Sequence, residues 1–394
     1  MDARALRDRI RGQIRGAEWR RVRAEVIEPP EGRPDQWRYG AQLRGIVTEF
    51  RGTDDTPAPG SLRPGSVRVA GPAGELAIGE DVFVDQVWGA VTRAPEVAGP
   101  FVVDYDYGLL RVDAVVDAGD GPEVIMGKSH LSNPLPPPVP AGAKHLTNLF
   151  LPYHANPAEA ELLPVSRSAG LRSHPQSARL PRWLESLRSG SGRITCLGDS
   201  VTAGYSASSP ATAYPALLGR MLAAHGLSAT VTAVAVGGST STQWLGLDDP
   251  MPGTDWDRVT TSKPDLVTVE FVNDAHLSIP QIERSYQLLL HQTHALGADL
   301  LLVEPHFSRP DWMGASTMDL VDERPYVGFL REFARRHDVA LASVSPRWQE
   351  LWSLGIPYLT MLRNGINHPD DRGHAIFAEE IAAGLGAAPA ATGS

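Results

Sequence analysis

The chain has 394 residues, a formal net charge of −10, 42% hydrophobic residues and 21% charged residues. This composition is typical of a folded globular protein and argues against a disordered chain or a nucleic-acid-binding protein. A chain of this length is too long for one ordinary core, so we expect two domains. No apolar run is long enough to cross a bilayer, so we expect no membrane partner.

The first 30 residues contain a basic segment in which Leu6, Ile10 and Ile14 share one stripe. This pattern predicts an N-terminal amphipathic helix over residues 1–30, docked on its own protein or on a second subunit of a homo-oligomer. The segment lacks the continuous apolar stretch of a signal peptide, and the single cysteine, Cys196, cannot form an internal disulfide. We therefore expect a cytoplasmic protein.

Residues 31–150 have the character of an all-β domain. Short β-branched runs at 65–70, 81–88 and 109–116 alternate with turns rich in Gly, Pro and Asp. This rhythm predicts a sandwich or jelly-roll-like domain, and we interpret residues 151–192 as the connector that follows it.

Residues 193–394 alternate between strand-like and helix-like segments. Strands are predicted near 193–197, 229–236, 265–271, 299–303 and 339–343. Helices are predicted near 211–225, 281–296, 323–337 and 371–385. Such alternation predicts a parallel sheet covered on both faces, as in a three-layer, flavodoxin-like α/β domain.

A serine lies where the first of these strands turns toward a helix. In Gly198-Asp199-Ser200 the hydroxyl of Ser200 would lie at the carboxyl edge of the sheet, where open α/β folds bind ligands. The tripeptide alone is weak evidence, because turns favour all three residues. Further polar blocks at 236–240, 271–274 and 367–374 follow in order along the chain.

The order and spacing of these four blocks resemble the GDSL, or SGNH, hydrolase superfamily, over about residues 190–386. The resemblance implies that Ser200 is a nucleophile and His368 its base. It further implies an oxyanion hole formed by Ser200, Gly238 and Asn273. Among the histidines, His291 and His294 are three residues apart, but such a pair on a helix is more often at the surface than a ligand set. We therefore expect no catalytic metal, and no cofactor.

Elementary chemistry agrees with these roles. A serine hydroxyl is a poor nucleophile without an adjacent base, and histidine titrates in the useful range. Acyl transfer develops an oxyanion that needs several fixed hydrogen-bond donors. Taken singly, Gly238 fits a plain turn better, and Asn273 and His368 fit helix caps better. Taken together in this order, those interpretations would require four independent coincidences.

The usual acid of the triad is missing from this sequence. The family that the chain resembles carries Asp three residues before its histidine, and Gly365 occupies that position here. The candidates for orienting the imidazole are the side chains of Asn364 and Asn367, a backbone carbonyl and the more remote Glu304. We therefore predict a Ser-His dyad, because the remaining groups of a triad still catalyse without the acid.

Two aromatic residues and one histidine near these blocks have open roles. Phe271 stands where the family often has Gly, and with Trp244 it either narrows the acyl pocket toward acetyl or belongs to the core. His374 follows the predicted base, and we interpret it as a capping or packing residue.

We predict a serine esterase that hydrolyses a small acyl ester, with acetyl as the leading acyl group, through an acyl-serine intermediate. An all-β domain ahead of an SGNH domain resembles the arrangement in some carbohydrate esterases, which implies a carbohydrate or glycoside substrate. One alternative is an O-acyltransferase that uses the same site. Another is a catalytically inactive glycan-binding protein, which the missing acid favours.

Overall fold

The chain divides into two units whose boundaries do not follow a single linker. The computed structural model describes residues 2–35, 38–50, 55–165, 175–190, 192–314 and 321–387. The N-terminal unit comprises Met1–Ser168 and Leu351–Asn367, and the C-terminal unit comprises Ala169–Glu350 and His368–Ser394. The chain therefore leaves the N-terminal unit, forms most of the C-terminal unit, and returns to the first before the second is complete.

Hydrogen bonds fix the returning segment within the N-terminal unit. The side-chain amide of Asn148 donates to the carbonyl oxygen of Gly355 at 2.7 Å. The hydroxyl of Thr48 donates to the carbonyl oxygen of Asn364 at 3.2 Å. We predicted one continuous β-domain followed by a connector, and the return has no local signal because it depends on contacts between segments far apart in sequence.

The N-terminal unit is built from antiparallel strands. They are β1 (Trp19–Ile27), β2 (Ala41–Gln42), β3 (Val47–Glu49), β4 (Thr56–Pro57), β5 (Arg68–Gly71), β6 (Gly74–Leu76), β7 (Val82–Val84), β8 (Ala90–Arg93), β9 (Phe101–Gly108), β10 (Arg111–Asp117), β11 (Pro122–Ile125), β12 (Lys144–Leu151) and β13 (Glu161–Pro164). They pair in the orders β1-β9-β5-β6, β11-β10-β12-β13, β2-β8-β7 and β3-β4. The predicted antiparallel all-β region is confirmed.

This unit has two separate apolar cores. In the first, alternate residues Phe101, Val103 and Tyr105 of β9 point inward and pack with Val82 and Val91 of the β2-β8-β7 sheet, as the two-residue period of a strand requires. The second lies between the sheet of β10 to β13 and helix α1 (Ala3–Ile10).

The N-terminal helix is shorter than we predicted. Helix α1 ends at Ile10, and β1 begins at Trp19 and pairs with β9. The prediction of a helix through residue 30 fails because exposed arginines fit the outer face of a strand as well as that of a helix. Within α1 the predicted apolar face is correct, since Leu6 and Ile10 are buried.

The C-terminal unit contains a parallel sheet in the flavodoxin-like order β15-β14-β16-β17-β18. Its strands are β14 (Gly192–Gly198), β15 (Ala229–Ala235), β16 (Leu266–Glu270), β17 (Asp299–Val303) and β18 (Ala340–Ala342). The helices are α2 (Pro181–Arg188), α3 (Tyr214–Ala224), α4 (Ser241–Trp244), α5 (Asp257–Ser262), α6 (Ile279–Ala295), α7 (Pro325–His337), α8 (Val344–Glu350) and α9 (Asp371–Gly384). The predicted α/β fold is confirmed.

Both faces of this sheet are covered. Val267 and Leu300 pack in one core with Tyr286 of α6 and Phe333 of α7. On the opposite face, Leu301 of β17 lies against α9. Because the strands are parallel, the segments that follow them leave the sheet at one edge. None of the described helices has the length and apolar character needed to span a membrane.

Buried carboxyl groups lie at this carboxyl edge. Glu270 ends β16 and accepts a hydrogen bond from the hydroxyl of Thr202 at 3.1 Å. Asp274 follows four residues later, and its carboxyl accepts from the backbone N–H of Ser241 at 2.9 Å. Burial raises the pKa of Glu270 well above its usual range and the pKa of Asp274 to about 7. Ionisation of these groups therefore opposes folding.

Replacement of Asp274 by Asn should change how stability depends on pH. Because the pKa of Asp274 is about 7 in the folded protein and near 3.8 when unfolded, the wild type loses stability as pH rises through this interval. Asp274→Asn cannot ionise, so its stability relative to the wild type should rise by a few kcal/mol between pH 4 and pH 8. Urea unfolding of both proteins across this range measures the difference.

The matched control is Asp249→Asn, which removes a carboxylate from an exposed position of the same unit. A difference between Asp274→Asn and the wild type that stays constant from pH 4 to pH 8 would contradict the raised pKa.

Candidate active site

Ser200 lies in the tight turn that follows β14. The backbone N–H of Ala203 donates to the carbonyl of Asp199 at 3.0 Å, and that of Tyr205 donates to the carbonyl of Ser200 at 2.9 Å. The Asp199 carboxylate accepts from the N–H of Val201 at 3.0 Å. These bonds hold the Ser200 side chain at the carboxyl edge of the sheet, where it is 4% exposed.

His368 lies directly before helix α9 and meets Ser200. Its Nε2 is 2.9 Å from Ser200 Oγ, within the range of a hydrogen bond. The Asp370 side chain caps α9 by accepting from the N–H groups of Arg372 and Gly373, which fixes where the helix starts and hence where His368 stands. With its proton on the other ring nitrogen, His368 can accept the hydroxyl proton of Ser200.

Two backbone N–H groups are available for an oxyanion. Gly238 occupies the third position of the turn Val236 to Ser239, with φ +81°, a conformation that favours glycine. In the part of the chain that the structure describes, the N–H groups of Ser200 and Gly238 donate to no backbone carbonyl. The turn interpretation and the donor interpretation of Gly238 are therefore compatible.

Asn273 already has hydrogen-bond acceptors. Its Nδ2 donates to Asp199 Oδ2 at 3.0 Å and to the carbonyl of Ser239 at 3.2 Å. Burial raises the pKa of Asp199 to about 7, against the opposing effect of the N–H groups of Val201 and Asn273. An oxyanion that uses the Asn273 amide must share one of these hydrogens.

Glu304, a candidate for orienting the imidazole, has other partners. Its carboxylate accepts from Nε and Nη2 of Arg331 at 2.7 and 3.3 Å, and a backbone N–H of Ser345 also contacts it. Burial raises the pKa of Glu304 even though Arg331 opposes the shift. We therefore assign Glu304 to the ion pair with Arg331 and not to the dyad.

Asn364 and Asn367 belong to the turn that leads to His368. Asn364 Oδ1 accepts from the N–H groups of Ile366 and Asn367, each at 2.9 Å, and its Nδ2 donates to Asn367 Oδ1 at 3.2 Å. The intervening Gly365 has φ +69°. A side chain in this left-handed conformation costs about 1 kcal/mol, so the loop is built for glycine at this position. A role for either asparagine in orienting His368 stays a prediction.

Phe271 and Trp244 are core residues. They are 0% and 1% exposed and belong to the cluster beneath α6 and α7. The indole Nε1–H of Trp244 donates to the hydroxyl of Ser239 at 2.9 Å. Of the two roles left open for these aromatic residues, their burial supports the core role.

Sequence reasoning did not identify Tyr205 as a neighbour of His368. Its ring meets the His368 ring edge to face, with centroids 5.5 Å apart and an interplanar angle of 87°. The fully buried His374 lies with Nε2 3.2 Å from the carbonyl oxygen of Tyr205. The one local signal for Tyr205 is its place in the turn after Ser200, and a tyrosine in a turn has no diagnostic pattern.

Two other histidines lie near this edge without joining the dyad. His306 is fully buried, with its ring centroid 5.0 Å from that of Trp348. His276 is exposed, and its ring meets Trp312 at 6.5 Å. Among the described residues, no three His, Cys, Asp or Glu side chains are grouped so that they could hold a metal ion.

Comparison with known structures gives distant similarities. A two-domain esterase (CEX) active on acetylated mannans aligns with 22% identity and a TM-score of 0.42, over 53% of this chain and 52% of that one. An acetylxylan esterase from Geobacillus stearothermophilus aligns with 18% identity and a TM-score of 0.39, over 50% and 94% of the two chains. The match thus spans about half the length of the two-domain esterase. No curated protein sequence matches the chain.

A family model identifies the C-terminal half of the chain. Residues 196–376 match the model of the GDSL-like Lipase/Acylhydrolase family. This range contains Ser200, Gly238, Asn273 and His368, and it spans the parallel sheet from β14 to β18. Residues 196–376 of this chain are therefore identified as a GDSL-like lipase/acylhydrolase domain.

Proposed function

We propose that this protein is a serine esterase that removes a small acyl group, with acetyl as the leading candidate, from a carbohydrate alcohol. The observation that carries the proposal is the 2.9 Å hydrogen bond between Ser200 Oγ and His368 Nε2. Both side chains are almost fully buried at the carboxyl edge of the parallel sheet. Nucleophile and base within hydrogen-bond reach are what covalent acyl transfer requires.

In the acylation step, Ser200 Oγ attacks the ester carbonyl carbon while His368 Nε2 takes the hydroxyl proton. The carbonyl oxygen becomes an oxyanion, which the N–H groups of Ser200 and Gly238 and the amide of Asn273 stabilise. The carbon–oxygen bond to the alcohol then breaks, and the leaving oxygen takes the proton from His368. The products are the free alcohol and an acyl-Ser200 ester.

In the second step, water attacks the acyl carbon and gives its proton to His368. The same donors hold the second oxyanion. When the bond to Ser200 Oγ breaks, His368 returns the proton to the serine, and the carboxylic acid leaves. An acceptor alcohol in place of water would give acyl transfer at the same site.

The proposed substrate class rests on the arrangement of the chain. An antiparallel all-β unit precedes a GDSL-type domain, and this arrangement resembles that of some carbohydrate esterases. Because Phe271 and Trp244 are core residues, they do not indicate the acyl length. Acetyl is therefore proposed from the same resemblance. p-Nitrophenyl acetate, butyrate and octanoate, compared with acetylated xylo- and manno-oligosaccharides, test the acyl group and the alcohol separately.

Loss of the nucleophile or the base should abolish most activity without unfolding the protein. We expect Ser200→Ala and His368→Ala each to lower kcat for p-nitrophenyl acetate by about three powers of ten or more. A serine-directed phosphonate should add to Ser200 in the wild type, and intact mass should show no adduct on Ser200→Ala.

Esterase activity in Ser200→Ala equal to the wild type would sink the proposal. A wild type that neither hydrolyses any of these esters nor reacts with the phosphonate would instead favour a glycan-binding protein. Release of acyl ester on an added alcohol, in place of free acid, would favour the acyltransferase.

Asn273 should contribute to the oxyanion hole and not to substrate affinity. Removal of one such side-chain donor typically costs about 100- to 1000-fold in kcat. Asn273→Ala should therefore lower kcat with little change in KM for p-nitrophenyl acetate. A change confined to KM would make Asn273 a substrate-binding residue.

A further inference from the structure

Tyr205 lies at the dyad, although the proposed mechanism gives it no part. Its ring is edge to face with the imidazole of His368, 5.5 Å between centroids. Such a pair holds two rings at a defined angle through the quadrupole of the aromatic system. The residue is 38% exposed, so part of its side chain reaches solvent.

The backbone of Tyr205 is fixed at both its N–H and its carbonyl. The N–H donates to the carbonyl of Ser200 at 2.9 Å, which closes the nucleophile turn. The carbonyl oxygen lies 3.2 Å from Nε2 of His374, on the first turn of α9. Burial lowers the pKa of His374 to about 4. The neutral imidazole can therefore act as the donor, with its proton on Nε2.

The ring of Tyr205 packs closely against Gly237. A Cβ on Gly237 would come within 2.7 to 2.9 Å of the ring atoms and the hydroxyl of Tyr205, distances at which something must shift. Gly237 therefore lets the ring lie against the β15 loop. One residue thus touches the nucleophile turn, the base and the segment that carries Gly238.

We propose that Tyr205 is a positioning residue that holds His368 in the orientation in which Nε2 faces Ser200, and that His374 fixes Tyr205 in turn. The inference rests on the proposed esterase function. The edge-to-face contact gives the imidazole of His368 an orienting partner on its own side of the sheet edge.

The first test separates the ring from the hydroxyl. Because a small misplacement of a catalytic group costs about 100-fold in rate, we expect Tyr205→Ala to lower kcat for p-nitrophenyl acetate by about that factor, with KM unchanged. Tyr205→Phe keeps the ring and should retain most of the activity. Tyr39→Ala, an exposed tyrosine in the N-terminal unit, is the control for loss of a surface aromatic residue.

A second test changes Gly237, against which the ring packs. Gly237→Ala should displace Tyr205 and lower kcat in the same way as Tyr205→Ala. In the double variant the two losses should not multiply, because the alanine at position 237 has no ring left to displace. His374→Phe, which keeps a ring but removes the donor, should give a smaller loss that also disappears in the Tyr205→Ala background.

The outcomes distinguish this inference from the proposed function. If the wild type is active and Tyr205→Ala is equally active, the positioning role is overturned and the esterase stands. If Tyr205→Ala changes KM for an acetylated glycoside but not kcat for the aryl acetate, Tyr205 binds the alcohol and does not position the base. Losses that multiply in the double variant would mean that Gly237→Ala acts through Gly238.

The thermal midpoint of each variant and the activity of Tyr205→Phe distinguish a loss of positioning from a loss of folding. A wild type without esterase activity or phosphonate adduct would overturn the esterase and the positioning role together. If Tyr205→Phe loses as much activity as Tyr205→Ala and its thermal midpoint is unchanged, the hydroxyl and not the ring is responsible. That outcome would contradict the packing argument.

Discussion

The hydrogen bond between Ser200 and His368 joins segments 168 residues apart in the sequence, and further hydrogen bonds between the loop after β14 and helix α9 hold those segments together. The Asp371 carboxylate, on the first turn of α9, accepts from the N–H and the hydroxyl of Ser208 at 2.7 and 2.5 Å. The contact from His374 to Tyr205 lies one turn along the same helix. Each such bond contributes only about 1 kcal/mol to stability, but together they fix two loops in one geometry.

The same edge of the sheet concentrates buried acidic groups near the proposed oxyanion hole. Fully ionised, Asp199, Glu270 and Asp274 would oppose negative charge on a substrate. Burial raises the pKa of all three, so the protein carries less negative charge there near neutral pH than its sequence implies. The low polarity that has this effect also strengthens hydrogen bonds from fixed N–H donors. One environment thus favours both neutral acids and effective donors.

The parts of this architecture that sequence reasoning predicted are those with local causes. Strand and helix periodicity gave the parallel sheet, because buried strands read as apolar runs and helices repeat every 3.6 residues. The polar blocks after the strands gave the residues that meet at the sheet edge. The part that failed depends on a distant contact, since the strand character of Trp19–Ile27 comes from pairing with β9. The roles of Phe271 and Trp244 were left open because the core that they fill decides them. Tyr205 was missed for the same reason, since its importance lies in what it touches.

The return of Leu351–Asn367 to the N-terminal unit has a consequence for how such a protein is made and inherited. In sequence, most of the α/β unit is inserted into the β unit, and the segment that completes the β unit is followed directly by His368. A chain emerging from the ribosome therefore has Ser200 long before the β unit has all of its residues, and it gains His368 only afterwards. By the same logic, recombination cannot exchange the β unit by a single crossover. Two are needed, and the second falls directly before His368.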